Sequence, residues 1–170
     1  GLAAFGLDAE TVERIMGQVG LKAHARQGES VEMRQRGAVA DISREELREA
    51  FKSVLKSGDR AEEVVEYIQT RAGLLTAQAQ RTYTFPHRSF QEFAAACAAV
   101  ESADFPDELV RRVMDDRDWW REVYLLAAGR ARSPRFSNAV ELLDCLCGEN
   151  PPSTPDVQSA ANALLAANAA

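Results

Sequence analysis

Tyr83-Thr84-Phe85-Pro86-His87-Arg88-Ser89-Phe90-Gln91-Glu92-Phe93-Ala94-Ala95-Ala96 is the stretch on which the fold turns. Its first residues are β-branched or aromatic and suit a pleated surface. Pro86 ends that extended run and biases Phe85 away from helix. Ser89 with Glu92 three residues later has the form of a capping box: the Ser89 hydroxyl would accept from the backbone of residue 92 while Glu92 reaches back. Phe90, Phe93, Ala94 and Cys97 then recur at helical spacing. This stripe predicts a helix with Phe90 and Phe93 in the core and Gln91 and Glu92 on the other face.

Working upstream, Leu74–Ala77 is a second short β-prone run, separated from Thr82–Phe85 by the polar or small residues Gln78–Arg81, which predicts a β-hairpin. Ahead of it lie three helical patterns. Residues 8–27 open with Asp8 as N-cap and carry Val12, Ile15, Met16, Val19 and Ala23 on one face. Gly17 and Gly20 fall inside this span, each costing roughly 1 kcal/mol relative to Ala, and mark either a break or a close helix contact. Gly28 is a natural stop, and residues 28–41 read as a loop. Ser43 with Glu46 opens the second helix, which turns Leu47, Ala50, Phe51, Val54 and Leu55 to one side and ends at Gly58. Asp59 with Glu62 opens the third, with Val64, Val65 and Ile68 inward and Gly73 as stop.

Downstream, the chain is helical throughout. Segments near 106–115, 118–130, 136–147 and 155–167 are punctuated by prolines at 106, 134, 151, 152 and 155. Three helices and then a β-hairpin is the order of a winged helix. The expected fold is therefore mainly α: a winged-helix domain over 1–102, followed over 103–170 by an α-helical arm or the start of helical repeats.

The totals exclude several classes. The chain has 170 residues, 46% hydrophobic and 27% charged, which is ordinary for a globular protein. No apolar run approaches the ~20 residues of a membrane span, and no secretory leader is visible. The net charge of −6 is uneven: residues 1–100 hold 13 Lys/Arg against 14 Asp/Glu, and residues 101–170 hold 7 against 12. That is not the basic footprint of a nucleic-acid or anionic-membrane binder. Cys97, Cys145 and Cys147 form no disulfide framework and no metal-ligand spacing, and read as reduced, buried small hydrophobes. The chain starts at Gly1 and ends within an alanine-rich pattern, so both ends look like cuts in a longer protein.

The quoted stretch resembles the winged-helix domain of NACHT ATPases, members of the STAND class of signalling NTPases. Their pattern runs Phe, any residue, His, any residue, Ser or Thr, Phe, Gln, Glu, aromatic, then small residues. Phe85, His87, Ser89, Phe90, Gln91, Glu92, Phe93, Ala95 and Ala96 match it. Arg71-Ala72-Gly73-Leu74-Leu75 looks like the family's lead-in. Trp120-Arg121-Glu122-Val123 through Leu125-Leu126-Ala127-Ala128-Gly129 resembles the helical region that follows in bacterial members. By this resemblance His87 is the cofactor-binding residue, touching the β-phosphate of ADP held by the NACHT domain. A histidine at the end of an extended strand can donate to a phosphate oxygen. Arg88 is adjacent and available to assist, although a solvated role suits it better.

The resemblance further implies an N-terminal NACHT ATPase domain as partner, ADP or ATP with Mg as the cofactors of the full-length parent, homo-oligomer assembly on activation, a cytoplasmic setting and bacterial defence or stress signalling. The chain itself carries no phosphate loop of the form Gly-x-x-x-x-Gly-Lys-Ser/Thr, no metal site and no persuasive catalytic constellation, so no catalytic residue is expected in it. Two other functions compete. A DNA-binding winged helix would place the helix near 60–72 in the major groove, but Glu62, Glu63 and Glu66 there oppose phosphate. A helical module that binds partners regardless of nucleotide would use the acidic tail. Of the remaining candidates, Trp119 and Trp120 point in different directions on a helix, so one is expected in the core and one partly exposed. His24 has no evident partner in the sequence.

Overall fold

A computed structural model of the chain describes residues 2–35, 39–68, 73–78 and 81–131. Helix α1 spans Ala9–Glu29 and is opened by Asp8, whose carboxylate accepts from Thr11 N at 2.7 Å. Val12, Ile15, Met16, Val19 and Ala23 are buried, as their spacing requires. The two glycines do not break the helix. A Cβ on Gly20 would lie 2.6 Å from Ala94 Cβ, so this glycine marks a close backbone approach. The expected loop 28–41 is partly helical instead. α1 runs through Gly28 to Glu29, and a short α2 follows at Val31–Gln35. Ser30 separates them, its hydroxyl accepting from Met33 N at 3.3 Å. The Arg34 guanidinium reaches the Gly28 carbonyl. These polar contacts supply the ends that the sequence pattern lacks.

The Ser43–Glu46 capping box is present in full. Glu46 N donates to Ser43 Oγ at 3.1 Å and Ser43 N donates to Glu46 Oε2 at 2.8 Å. It opens α3, Arg44–Leu55, which buries Leu47 and Phe51. Ala50 and Leu55 pack partly buried against the core, while Val54 is exposed. The turn to the next helix differs from expectation. Lys56, at φ 55°, takes the left-handed C-cap position, and Ser57 caps α4, Gly58–Tyr67, by accepting from Arg60 N. Gly58 thus begins a helix rather than ending one, and Ser57 replaces Asp59 as the cap. Two adjacent caps make this helix-turn-helix tight. Val64, Val65 and Ile68 are fully buried.

The wing is a three-stranded antiparallel sheet, one strand more than the expected hairpin. Strand β1 is Ile42–Ser43, β2 is Thr76–Ala77 and β3 is Thr82–Thr84, in the order β1-β3-β2. Ile42 pairs with Tyr83 and Ser43 with Thr82; Thr76 pairs with Thr84 and Ala77 with Tyr83. A two-residue strand has no alternation to betray it in sequence, so β1 exists only through its partner. Ile42, Tyr83 and Phe85 join the core formed by α1, α3 and α4. This is the winged-helix architecture.

Helix α5, Arg88–Glu101, leads across the division between two compact units, 1–95 and 96–170. In the second unit, α6 spans Asp107–Asp115 and α7 spans Arg117–Ala131, and they pack on each other. Leu109 and Val113 of α6 are buried, as are Val123, Tyr124, Ala127 and Ala128 of α7. Trp119 and Trp120 are both buried, where one was expected to be partly exposed. The Arg112 guanidinium lies over the Trp120 ring, 4.8 Å from its centroid, and so covers the second indole. Cys97 is buried. The segments 136–147 and 155–167, Cys145, Cys147, and Arg71 and Ala72 of the lead-in lie outside the described residues.

Candidate functional site

Strand β3 delivers Phe85 into the core, and Pro86 and His87 emerge onto the surface. The His87 carbonyl accepts from Phe90 N at 3.1 Å and from Gln91 N at 3.4 Å, so His87 holds the cap position of α5. The helix therefore begins two residues earlier than the Ser89 capping box implies. Ser89 lies inside the first turn, and the Glu92 carboxylate takes the Arg88 guanidinium at 2.8 Å instead of a backbone N–H. That ion pair runs along the first turn of the helix. The His87 ring stacks near Phe90, with centroids 6.2 Å apart and planes at 24°.

The orientation of α5 departs from the expected one: Ala94 and Cys97 of the expected stripe are buried, but the two phenylalanines are not. Phe90 is 54% exposed and Phe93 45%, whereas Gln91 is fully buried and Glu92 nearly so. Toward α1 this helix presents Gln91, Ala94 and Ala95, and the phenylalanines lie on the surface. The reason lies on α1. Gly20 admits only small residues, and the hypothetical Cβ there would meet Ala95 N and the Gln91 carbonyl at 3.3 Å. A phenylalanine cannot occupy that contact.

Gln91 is satisfied by groups far away in sequence. Its Oε1 accepts from the backbone N–H of Ala40 at 2.9 Å. That bond fixes which end of the amide is which, because the backbone N–H can only donate. Nε2 then donates to Gln27 Oε1 at 3.1 Å and faces His24 Nδ1 at 3.3 Å. Facing a donor, Nδ1 of His24 acts as the acceptor. His24, Gln27 and Gln91 are all buried. His24 thus has the partner that could not be named from sequence. The signal that existed was the spacing of Gly20, His24 and Gln27 on one face of α1, opposite a helix with a single amide among alanines.

The family model for the winged helix-turn-helix domain C-terminal to NACHT matches residues 7–99. The chain belongs to this family. The match runs from the lead into α1 through most of α5, so it takes in the helix-turn-helix, the wing and the His87 join. It is the winged helix that follows a NACHT domain and not the NTPase portion itself. No curated protein and no solved structure matches the chain.

Other surfaces of this NACHT-associated winged helix offer less. On α4, Arg60 donates to the Phe5 carbonyl at 2.6 Å, and Phe5 packs against Tyr67 with ring centroids 5.7 Å apart. Its remaining charges are acidic, so the helix that would enter a DNA groove presents Glu63 and Glu66 beside an occupied arginine. An open cleft of about 410 Å³ at the wing is lined by Arg44, Glu62, Gln78, Arg81 and Tyr83. Arg44 there is committed to Glu62 at 2.7 Å and to the Tyr83 hydroxyl at 2.9 Å. The Glu62 contact holds the Arg44 proton above its ordinary affinity. Among the described residues no group of three or more His, Cys, Asp or Glu is arranged to hold a metal ion, and no helix is long and apolar enough to cross a membrane.

Proposed function

We propose that this winged helix holds a NACHT-type ATPase in its ADP-bound resting state, with His87 as the contact to the nucleotide's β-phosphate. The observation that supports this most directly is the exposed face at the start of α5. His87, Phe90 and Phe93 sit together on the surface, and the His87 imidazole has no hydrogen-bonding partner among the described residues. Two half-exposed phenylalanines flanking an available imidazole suit a protein partner that brings an anion with it. The NACHT domain that precedes this domain in the family meets both conditions.

In this reading Phe90 and Phe93 are covered by the NACHT domain, while a His87 N–H donates to a phosphate oxygen. A hydrogen bond to a charged group contributes about 1.5–3 kcal/mol. Losing it would speed ADP release roughly ten- to hundredfold. Exchange of ADP for ATP removes the arrangement that favours the closed state, because a ligand shifts an equilibrium only by its differential affinity for the two states. The freed domain then permits assembly with further copies. Hydrolysis, with its Mg, belongs to the NACHT domain, and this chain contributes no catalytic group. The setting is cytoplasmic, in bacterial defence or stress signalling.

The test is His87→Ala in the protein that carries the NACHT domain, scored by ADP release and by resting activity. Faster release with raised resting activity is expected. Unchanged values for both would show that His87 is not the nucleotide contact.

A further inference from the structure

We infer that Gln91 is a positioning residue: its buried amide ties the start of α5 to the backbone of Ala40 and thereby sets where His87 and Phe90 stand on the surface. The connection to nucleotide rests on the reading given above; the positioning itself does not.

The inference comes from how the segment 84–91 is held at both ends by one short stretch of chain. On its N-terminal side, β3 pairs with β1 through Tyr83 to Ile42 and Thr82 to Ser43. On its C-terminal side, Gln91 Oε1 accepts from Ala40 N, two residues before β1. The His87 join is therefore a closed bracket, anchored twice to residues 40–43. The first anchor fixes where the strand stops. The second fixes the axial position and roll of the helix that starts at Arg88.

The contact with α1 does not accomplish this alone. Gly20 against Ala94 and Ala95 brings the two helices close, but alanine methyl groups on glycine are smooth and non-directional. A carboxamide is directional. It has one acceptor aimed at Ala40 N and two donors aimed at Gln27 Oε1 and His24 Nδ1. Rotating α5 would leave several buried polar groups unpaired at once, so the helix has one preferred roll. In that roll Phe90 and Phe93 face outward. Replacing Gln91 by an apolar residue removes that penalty, so the start of α5 can shift and roll against α1 within the small space that Gly20 leaves.

Two variants separate positioning from general stability. Gln91→Met keeps length and volume but removes the tie to Ala40. Gln27→Met disturbs the same buried cluster yet leaves that tie in place. In this chain, Gln91→Met is expected to speed exchange of the Ala40 amide roughly tenfold and to weaken the His87–Phe90 ring contact seen by NMR. Gln27→Met is expected to leave both near the parent. Equal effects of the two variants on His87 and Phe90, or no effect of Gln91→Met, would overturn the inference.

The unsubstituted chain supplies a check that does not depend on a variant folding. The Ala40 amide should exchange with the same opening rate as the Gln91 backbone amide. A much faster Ala40 would mean that the tie is not holding. In the protein with its NACHT domain, Gln91→Met should release ADP about tenfold faster than Gln27→Met. If His87→Ala itself leaves ADP release unchanged, the nucleotide reading fails, and the NMR comparison still decides the role of Gln91.

Discussion

Gly20→Ala puts a better helix former into the middle of α1, and the chain is nonetheless expected to lose stability. On propensity alone the change would gain about 1 kcal/mol. The new Cβ, however, would stand 2.6 Å from Ala94 Cβ and 3.3 Å from both Ala95 N and the Gln91 carbonyl. Carbon atoms in contact prefer about 3.5–4.0 Å, so α1 and α5 must part by about 1 Å. Two of the three near atoms are backbone and cannot swing aside. Overpacking of this kind costs about 1–3 kcal/mol. Separation also stretches the Gln91 bonds to Gln27 and His24, already 3.1 and 3.3 Å long, and a buried hydrogen bond contributes about 1 kcal/mol. The net is a loss of about 2 kcal/mol, or roughly 10 °C in melting temperature for a domain of this size. Gly129→Ala is the matching control. It lies exposed in α7 with nothing within 4 Å of a new Cβ, so it should gain up to about 1 kcal/mol. Urea and thermal unfolding followed by circular dichroism measure both. If Gly20→Ala stabilises as Gly129→Ala does, the close approach of α1 to α5 is wrong, and the account of why α5 turns its phenylalanines outward goes with it.

Other outcomes follow from the same structure. Ser43→Ala removes the cap of α3 and should cost about 1 kcal/mol in urea unfolding. Glu46 carries a pH dependence: burial alone would raise its carboxyl, but the Ser43 backbone N–H and Arg26 outweigh burial and hold it below the usual carboxylate value. A lowered folded value adds stability that is present above the unfolded carboxylate range, near about pH 4.3, and is lost as pH falls through the folded value. The stability difference between the parent and Glu46→Gln, measured by urea midpoint, should therefore be largest near neutrality and shrink below about pH 4. Phe51→Ala empties a fully buried site and should cost about 3–5 kcal/mol, enough to abolish a cooperative melt. Phe90→Ser combined with Phe93→Ser should leave the stability of this chain within about 0.5 kcal/mol, because both rings are half exposed. The same pair should weaken docking of the NACHT domain, scored by ADP release in the larger protein.

The elements that were legible in the sequence are those whose cause is local. Asp8, and Ser43 with Glu46, announce helix starts because a cap needs only residues within one turn. Val12, Ile15, Met16 and Val19 announce a buried face because α1 has one apolar side. The hairpin shows in its β-prone residues, and the order of helices and wing follows from these signals. The His87 motif was legible as well, since the family pattern is contiguous. Where local signals compete, neighbours a few residues away decided the outcome: Ser57 displaced Asp59 as the cap of α4, and Lys56 took the left-handed turn before Gly58 was reached.

Tertiary contact alone decided the roll of α5 and the existence of β1. Periodicity places Phe90, Phe93, Ala94 and Cys97 on a helix but says nothing about the groups that wait to receive each face. The receiving surface is a glycine at position 20, a histidine and a glutamine on α1, and a backbone N–H at Ala40, which is 51 residues from Gln91. A glutamine becomes an interior residue when its donors and acceptor are all met, and a phenylalanine stays at the surface when the interior contact has room only for a methyl group. Neither condition is written near the residues it governs, so the sequence determined the main helices, the hairpin and their order, and packing determined β1 and which side of the decisive helix faces out.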